Sequence, residues 1–187
     1  TLINAILKQK IVITSNKPQT TRNRINVILT EEDYQIVFVD TPGIHKPLHK
    51  LGEYMVDIAT GALRGVDLIL FVIDPIDGVR KSDLHVAEII NKSRVPAILV
   101  INKIDEIKDR KIIEDAKEKI MSVCTTVEAI VETSAVTEKN LDVLKEEIVK
   151  RLPVGPQYYP EDMVSDKPSR FIMSELIREK IFRLTEQ

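Results

Sequence analysis

"VPAILVINKID" runs from Val95 to Asp105. Its first half is a continuous apolar run, the pattern of a strand buried on both faces. Its second half sets an amide, an ammonium and a carboxylate where the chain leaves the sheet. A strand that merely ends needs one turn residue, whereas Asn102, Lys103 and Asp105 crowd three polar groups into four positions. Working outward, "DLILFVID" (Asp67–Asp74) is a second continuous apolar run, and "EAIVETS" (Glu128–Ser134) is a weaker strand pattern. Helical patterns fall at about Glu53–Ala62, Ser82–Lys92, Arg110–Val123 and Asn140–Arg151. Strands alternating with helices of this length predict βαβ units, hence an α/β fold with a mostly parallel sheet. Ligands of such sheets bind outside the carboxyl ends of the strands, where "NKID" falls. Upstream, "INVIL" (Ile25–Leu29) and "QIVFV" (Gln35–Val39) flank the polar turn "TEED" and predict a hairpin.

Composition narrows the class. The 187 residues suffice for one ordinary domain and a short extra piece, and 43% hydrophobic with 30% charged residues is globular. A net charge of −2 gives no global basic field to announce nucleic acid, with a local basic patch still open, and DNA is not an expected partner. Cys124 is the single cysteine, so no intramolecular disulfide forms, and a reducing, cytoplasmic compartment is expected. No apolar run reaches the roughly 18 residues of a membrane span. The start, "TLINAILKQK", reads as the middle of a helix and lacks the order of a signal peptide. The end, "REKIFRLTEQ", also stops within a helical pattern, so the protein is expected to continue past both ends. Residues 1–152 are read as one domain. Residues 153–168 lie within "LPVGPQYYPEDMVSDKP", which carries four prolines and reads as a linker. Residues 169–187 are read as the opening helix of a second domain, capped by Asp166 or Ser169.

Other predicted strand ends are also polar and tightly turned. "FVDTPGIHK" (Phe38–Lys46) ends a strand in Asp40 and continues Thr41-Pro42-Gly43. A carboxylate there can hold a hydrated Mg²⁺, and a glycine lets a backbone N–H approach a phosphate oxygen. By itself the motif is also a plain Pro-Gly turn. "PQTTRNR" (Pro18–Arg24) offers two threonine hydroxyls that could complete Mg²⁺ coordination, or simply a polar loop. "ETSAVT" (Glu132–Thr137) could bring backbone N–H groups of Ser134 and Ala135 to a purine carbonyl. In "NKID", Asp105 can accept from guanine N1–H and N2–H₂ together. Adenine lacks that donor pair, and a mismatched buried edge is costly. Asn102 can tie neighbouring loops or reach the base, and the Lys103 stem can lie along the base plane with its head in water. A polar strand end before an acidic helix start is the plainer alternative. The ordered set, each member at a strand end, points to a guanine-nucleotide site.

These residues resemble the translation-factor class of P-loop GTPases, and more narrowly the bacterial Era GTPase family. The resemblance covers nearly the whole chain. "TLINAILKQKIVITSNKPQTTRNRI" (Thr1–Ile25) is similar to the stretch after that family's phosphate-binding loop. "VDTPGIHKP" is similar to its switch II, and "NKID" and "SA" to its base-reading loops. "YYPEDMVSDKPSRFIMSELIREKI" (Tyr158–Ile181) resembles its junction into a KH domain. The resemblance implies a P-loop GTPase fold, doubly wound with helices on both faces of the sheet. It implies GTP and GDP with Mg²⁺ as cofactors, and K⁺ as a candidate stimulator. Thr21, with Thr20 as alternative, and Asp40 would hold Mg²⁺. Gly43 would donate to the γ-phosphate, with Thr41, Pro42 and Ile44 beside it, and Thr1 would face the α-phosphate at a helix start. Asn102, Lys103, Ile104 and Asp105 would meet guanine, supported by Ser134 and Ala135. Partners implied are small-subunit ribosomal RNA and the 30S subunit during its assembly, with peripheral contact at the inner face of the cell membrane.

Two departures qualify this. The glycine-rich loop G-x-x-x-x-G-K-[ST] is absent, so the stretch by itself is expected to fold poorly and be inactive. The GXXG loop of a KH domain is absent too, and Arg170, Arg178, Lys180 and Arg183 are the basic residues open to an RNA-facing or a merely solvated role. Many GTPases orient the attacking water with a glutamine just after the switch II glycine. Here Ile44 has no donor or acceptor, so intrinsic hydrolysis should be slow unless His45, RNA, a partner or K⁺ assists. Rival readings are an RNA-binding factor with a purely structural nucleotide, and the GTPase domain of an iron transporter or a tRNA-modifying enzyme.

Overall fold

The computed structural model describes residues 1–15, 20, 21, 23–42, 60–63 and 65–185. They fall into two compact units, one holding residues up to 42 together with 154–185, the other holding residues 60–153. The expected helix over Glu53–Ala62 lies mostly outside the described residues, although 60–62 are helical.

The second unit is a three-stranded parallel sheet in the order β3 (Ile69–Ile73), β4 (Ala97–Ile101), β5 (Val127–Glu132). Helices α2 (Lys81–Ser93), α3 (Arg110–Met121) and α4 (Leu141–Val149) connect and follow the strands. All five residues of β4 have zero exposure, which is why that stretch can be apolar throughout. β3 departs from the expected double burial: Ile69, Phe71 and Ile73 are buried but Val72 is 45% exposed. It has a strand neighbour on one side only in its described sheet.

Helices α2 and α3 start for a local reason. At α2, the Asp83 carboxylate accepts from the Arg80 N–H at 2.8 Å, and Arg94 closes the helix in a left-handed conformation before Pro96. At α3, the Asp109 carboxylate accepts from the Lys111 N–H at 2.9 Å, and Ile113, Ala116 and Ile120 form the buried stripe. Glu132 fastens α3 to the end of β5: Arg110 donates to both of its oxygens at 2.9 Å, and Lys117 lies 2.8 Å from one of them. Burial alone would raise the Glu132 pKa, but Lys117 and Arg110 outweigh it and hold the carboxyl below its ordinary value.

The first unit contains α1 (Leu2–Leu7), the antiparallel hairpin β1 (Ile25–Thr30) and β2 (Gln35–Asp40), and α5 (Ser169–Leu184). The register pairs Ile25 with Asp40, so Asp40 sits at the hairpin's open end. The proline-rich segment 153–168 carries no helix or strand, because proline cannot donate to a ladder. It is nonetheless anchored along β1. Ile28 N–H donates to the Val164 carbonyl at 3.0 Å, Asp166 N–H to the Asn26 carbonyl at 3.3 Å, and Ser165 Oγ to the same carbonyl at 2.9 Å. The Gln35 side chain clasps it further, accepting from the Tyr158 and Tyr159 N–H groups at 3.0 Å and donating to the Tyr159 carbonyl at 2.9 Å.

Helix α5 differs from its sequence reading at its start. Neither expected cap forms: Pro168 precedes the helix, and the Asp166 carboxylate instead accepts from the Asn26 N–H at 3.1 Å. Its two most buried residues are charged, with Phe171, Ile172, Leu176 and Phe182 half-buried beside them. Glu175 and Glu179 are 9% and 3% exposed, while Met173, Ile177, Ile181 and Leu184 are more than half exposed. Glu175 is neutralised by a bidentate pair with Arg178, whose guanidinium lies 5.2 Å from the Phe182 ring centre. Glu179 accepts from the Thr14 N–H at 2.9 Å and from Lys10 at 2.6 Å. Burial with such partners is what a buried carboxylate requires.

Candidate functional site

The strand ends of the second unit are built outward from sheet order. Because β4 lies between β3 and β5, its exit is flanked by both neighbours' exits. The ladder runs one step past the strands: Asn102 N–H donates to the Ile73 carbonyl at 2.9 Å, and Thr133 N–H to the Ile101 carbonyl at 2.7 Å. Asn102 Oδ1 then accepts from the Ala135 N–H at 3.1 Å and from Thr133 Oγ1 at 3.2 Å. Of the two roles open to Asn102 in sequence, tying the loops together is visible here. Its Nδ2 has no protein partner among the described residues, which leaves a donor for a ligand acceptor. The Ala135 N–H is occupied by Asn102.

Lys103 adopts a left-handed backbone, φ 63°, which turns the chain sharply out of β4. Its ammonium lies 2.5 Å from Asp74 Oδ2, at the end of β3, rather than standing free in water. Ile104 N–H donates to the Thr133 carbonyl at 3.2 Å, and a turn follows with Glu106 N–H on the Lys103 carbonyl at 3.0 Å. Asp105 is exposed in that turn. It has no hydrogen-bond or ion-pair partner among the described residues, so both carboxylate oxygens are open to a paired donor. Ser134 is fully buried: its N–H donates to the Lys139 carbonyl at 3.2 Å, and its Oγ accepts from the Thr137 N–H at 3.1 Å. Ser134 thus shapes the loop that carries Ala135.

In the first unit, Thr21 Oγ1 donates to Asp40 Oδ2 at 3.4 Å. Burial pushes the Asp40 carboxyl up to about 6, resisted by the Thr21 hydroxyl and the Thr41 N–H. A half-buried carboxylate with a hydroxyl beside it is an oxygen-only donor pair, the type a hydrated Mg²⁺ accepts. No cluster of three or more metal-ligating side chains occurs among the described residues. Mg²⁺ suits such a site because it uses few protein ligands and keeps its waters. Pro42 is fully buried, which fixes the chain just after Asp40. Thr1 stands at the start of α1, where its carbonyl accepts from the Ala5 N–H at 3.0 Å. Gly43, Ile44 and His45 lie outside the described residues.

Two contributors escaped the sequence reading. Asp74 was visible only as the last letter of an apolar run, and Thr133 only as the residue before "SA". The available signal for Asp74 was its position: a second acidic residue at the carboxyl end of a strand that a parallel sheet sets next to "NKID".

Comparison with known proteins places this geometry. A model of the 50S ribosome-binding GTPase family matches residues 1–103. The GTPase Era of Thermotoga maritima is 53% identical over 187 residues, and that of Clostridium botulinum strain Langeland is 52% identical over 187. All of this chain is covered in both, and it spans 62% of each relative's length. A crystal structure of Era in complex with MgGDPNP and nucleotides 1506–1542 of 16S ribosomal RNA matches with a TM-score of 0.91 at 39% identity, covering 100% of this chain and 63% of that one. The parallel sheet with its polar strand ends is a P-loop GTPase fold, and the chain belongs to the 50S ribosome-binding GTPase family.

Proposed function

We propose that this chain is part of a GTP-binding switch that hydrolyses GTP to GDP and phosphate, binds small-subunit ribosomal RNA and acts in 30S subunit assembly. The observation that carries the nucleotide reading is Asp105. Its partnerless carboxylate lies in a turn whose base is locked by Asn102, Thr133 and Ala135. That lock holds the turn before any ligand arrives, so binding costs little ordering. Asp105 accepts from guanine N1–H and N2–H₂, Asn102 Nδ2 donates to an acceptor on the base, and Lys103 keeps its stem along the ring. Ile104 contributes its backbone place in the turn, and Ser134 and Ala135 support it from the β5 exit.

Asp40 and Thr21 are the residues that would hold Mg²⁺, which supplies charge neutralisation across the phosphates. Thr1, Thr41, Pro42 and Gly43 are assigned to the phosphate side. Hydrolysis is assigned a slow intrinsic rate, because Ile44 offers no group to orient water, with RNA, a partner or K⁺ as stimulator. In the GTP state the segments around Thr21 and Gly43 become ordered, and in the GDP state they relax.

The RNA assignment follows from the Era relative solved with 16S ribosomal RNA. We divide the chain into a GTPase domain over residues 1–152, a connector over 153–168 and the first helix of a KH-type domain over 169–187. We place it in the cytoplasm, with peripheral contact at the inner face of the membrane. Among the described residues no helix is long and apolar enough to cross a bilayer.

The test titrates GDP, ADP and XDP into the full-length protein and into Asp105→Asn. Xanthine carries a carbonyl where guanine carries N2–H₂, so an asparagine should pair with it better. Tight GDP binding, weak ADP binding and a shift toward XDP in the variant are expected. Equal binding of GDP and ADP would overturn the reading and favour RNA binding without a nucleotide switch.

A further inference from the structure

Asp74 ends β3 and belongs to none of the nucleotide motifs, yet both its oxygens are engaged. Oδ1 accepts from the Ile76 N–H at 3.3 Å, and Oδ2 meets the Lys103 ammonium at 2.5 Å. The loop beyond it is stiff. Pro75 is fully buried, the Gly78 N–H donates to the Pro75 carbonyl at 2.7 Å, and Gly78 takes φ 81°, which suits glycine. The carboxylate's position is therefore set by its own loop. Lys103 is the adaptable partner, a long side chain with 44% of its surface exposed. The neighbouring cation Arg80 is taken by Asp77 at 3.2 Å, so it does not compete for Asp74. The hydrogen bond that Lys103 donates to Asp74 leads the influences that raise the Lys103 pKa and keep the ammonium charged.

We propose that Asp74 is a positioning residue for nucleotide binding, holding the Lys103 ammonium at the end of β3 so that its stem presents a fixed surface to the base. This rests on the guanine-nucleotide reading above. The alternative is that the pair merely fastens β3 to β4. Those strands are already joined by their ladder and by the Asn102–Ile73 bond. An ion pair this exposed adds little to stability. Its effect should therefore appear in nucleotide residence and not in unfolding.

The test measures release of a fluorescent GDP analogue, and urea unfolding, for the full-length parent, Asp74→Asn, Lys103→Ala and the double variant. Asp74→Asn keeps an acceptor for the Ile76 N–H and removes only the charge. Expected are release about threefold faster in Asp74→Asn, as for a partly exposed ion pair, and an unchanged urea midpoint. In the Lys103→Ala background, Asp74→Asn should add nothing. Unchanged release, an equal acceleration without Lys103, or a loss of stability matching the faster release would each overturn the proposal. A parent that fails to bind GDP would instead overturn the nucleotide reading itself.

Discussion

Replacing Asn102 separates its structural work from its chemical work. Asn102 Oδ1 accepts from the Ala135 N–H at 3.1 Å and from Thr133 Oγ1 at 3.2 Å. Ala135 is 8% exposed and Thr133 is fully buried. Asn102→Ala strands both donors. An unmet buried donor costs about 1–3 kcal/mol. The threonine hydroxyl can rotate to another acceptor and the amide cannot, so the expected loss is about 2–4 kcal/mol. Asn102→Asp keeps an oxygen facing both donors and removes only the outward Nδ2, so it should unfold within about 1 kcal/mol of the parent. Both variants should bind GDP more weakly. Urea unfolding followed by circular dichroism reads the first quantity. At a slope of roughly 2 kcal/mol/M, the alanine midpoint should fall by about 1–2 M. Calorimetric titration of GDP reads the second. An alanine variant as stable as the parent would refute the idea that Asn102 is the pin between the β4 and β5 exits.

Two further outcomes follow from the charged groups. The folded-state pKa of Glu132 is lowered, so its contribution is present above the ordinary carboxylate range and is lost as pH falls through the lowered value. Glu132→Gln should therefore cost about 1 kcal/mol near neutrality, discounted because Arg110 is well exposed, and nothing in acid, as urea midpoints across pH would show. Asp40 has the opposite sign: its pKa is raised from 3.8 to about 6, so its contribution is present below the unfolded value and is lost as pH rises through about 6. Asp40→Asn should stabilise the nucleotide-free protein at pH 7 by up to about 3 kcal/mol, with the gain fading toward pH 4, while weakening Mg²⁺-dependent GTP binding. A variant less stable than the parent at pH 7 would contradict the burial argument.

Much of the architecture was readable because its signals are local. The apolar runs at 69–73 and 97–101 became β3 and β4, and the two runs flanking "TEED" became the β1–β2 hairpin. Helices α2 to α5 formed within a few residues of the periodic patterns that suggested them. The failures share a cause. The caps expected of Asp166 and Ser169 at α5 are sound local chemistry, yet Asp166 is drawn to the Asn26 N–H. Nor does the helical pattern of α5 report that two of its glutamates are buried, where Arg178, Thr14 and Lys10 meet them. Asn26, Thr14 and Lys10 lie far away along the chain from the groups they meet, where no periodicity reports them.

The candidate site divides the same way. Which groups were candidates to read guanine or hold Mg²⁺ came from residue type and order: Asp105, Asn102, Asp40 and Thr21 carry oxygens and an amide suited to that chemistry. Which of them are already committed to the protein was decided by the order β3-β4-β5. That order spends the Asn102 oxygen on Ala135 and Thr133, gives the Lys103 ammonium to Asp74 and leaves Asp105 free. The physical reason is that a hydrogen bond or ion pair depends on distances of a few ångströms between strands. A linear chain records the donors and acceptors, and only the folded sheet brings particular ones within reach.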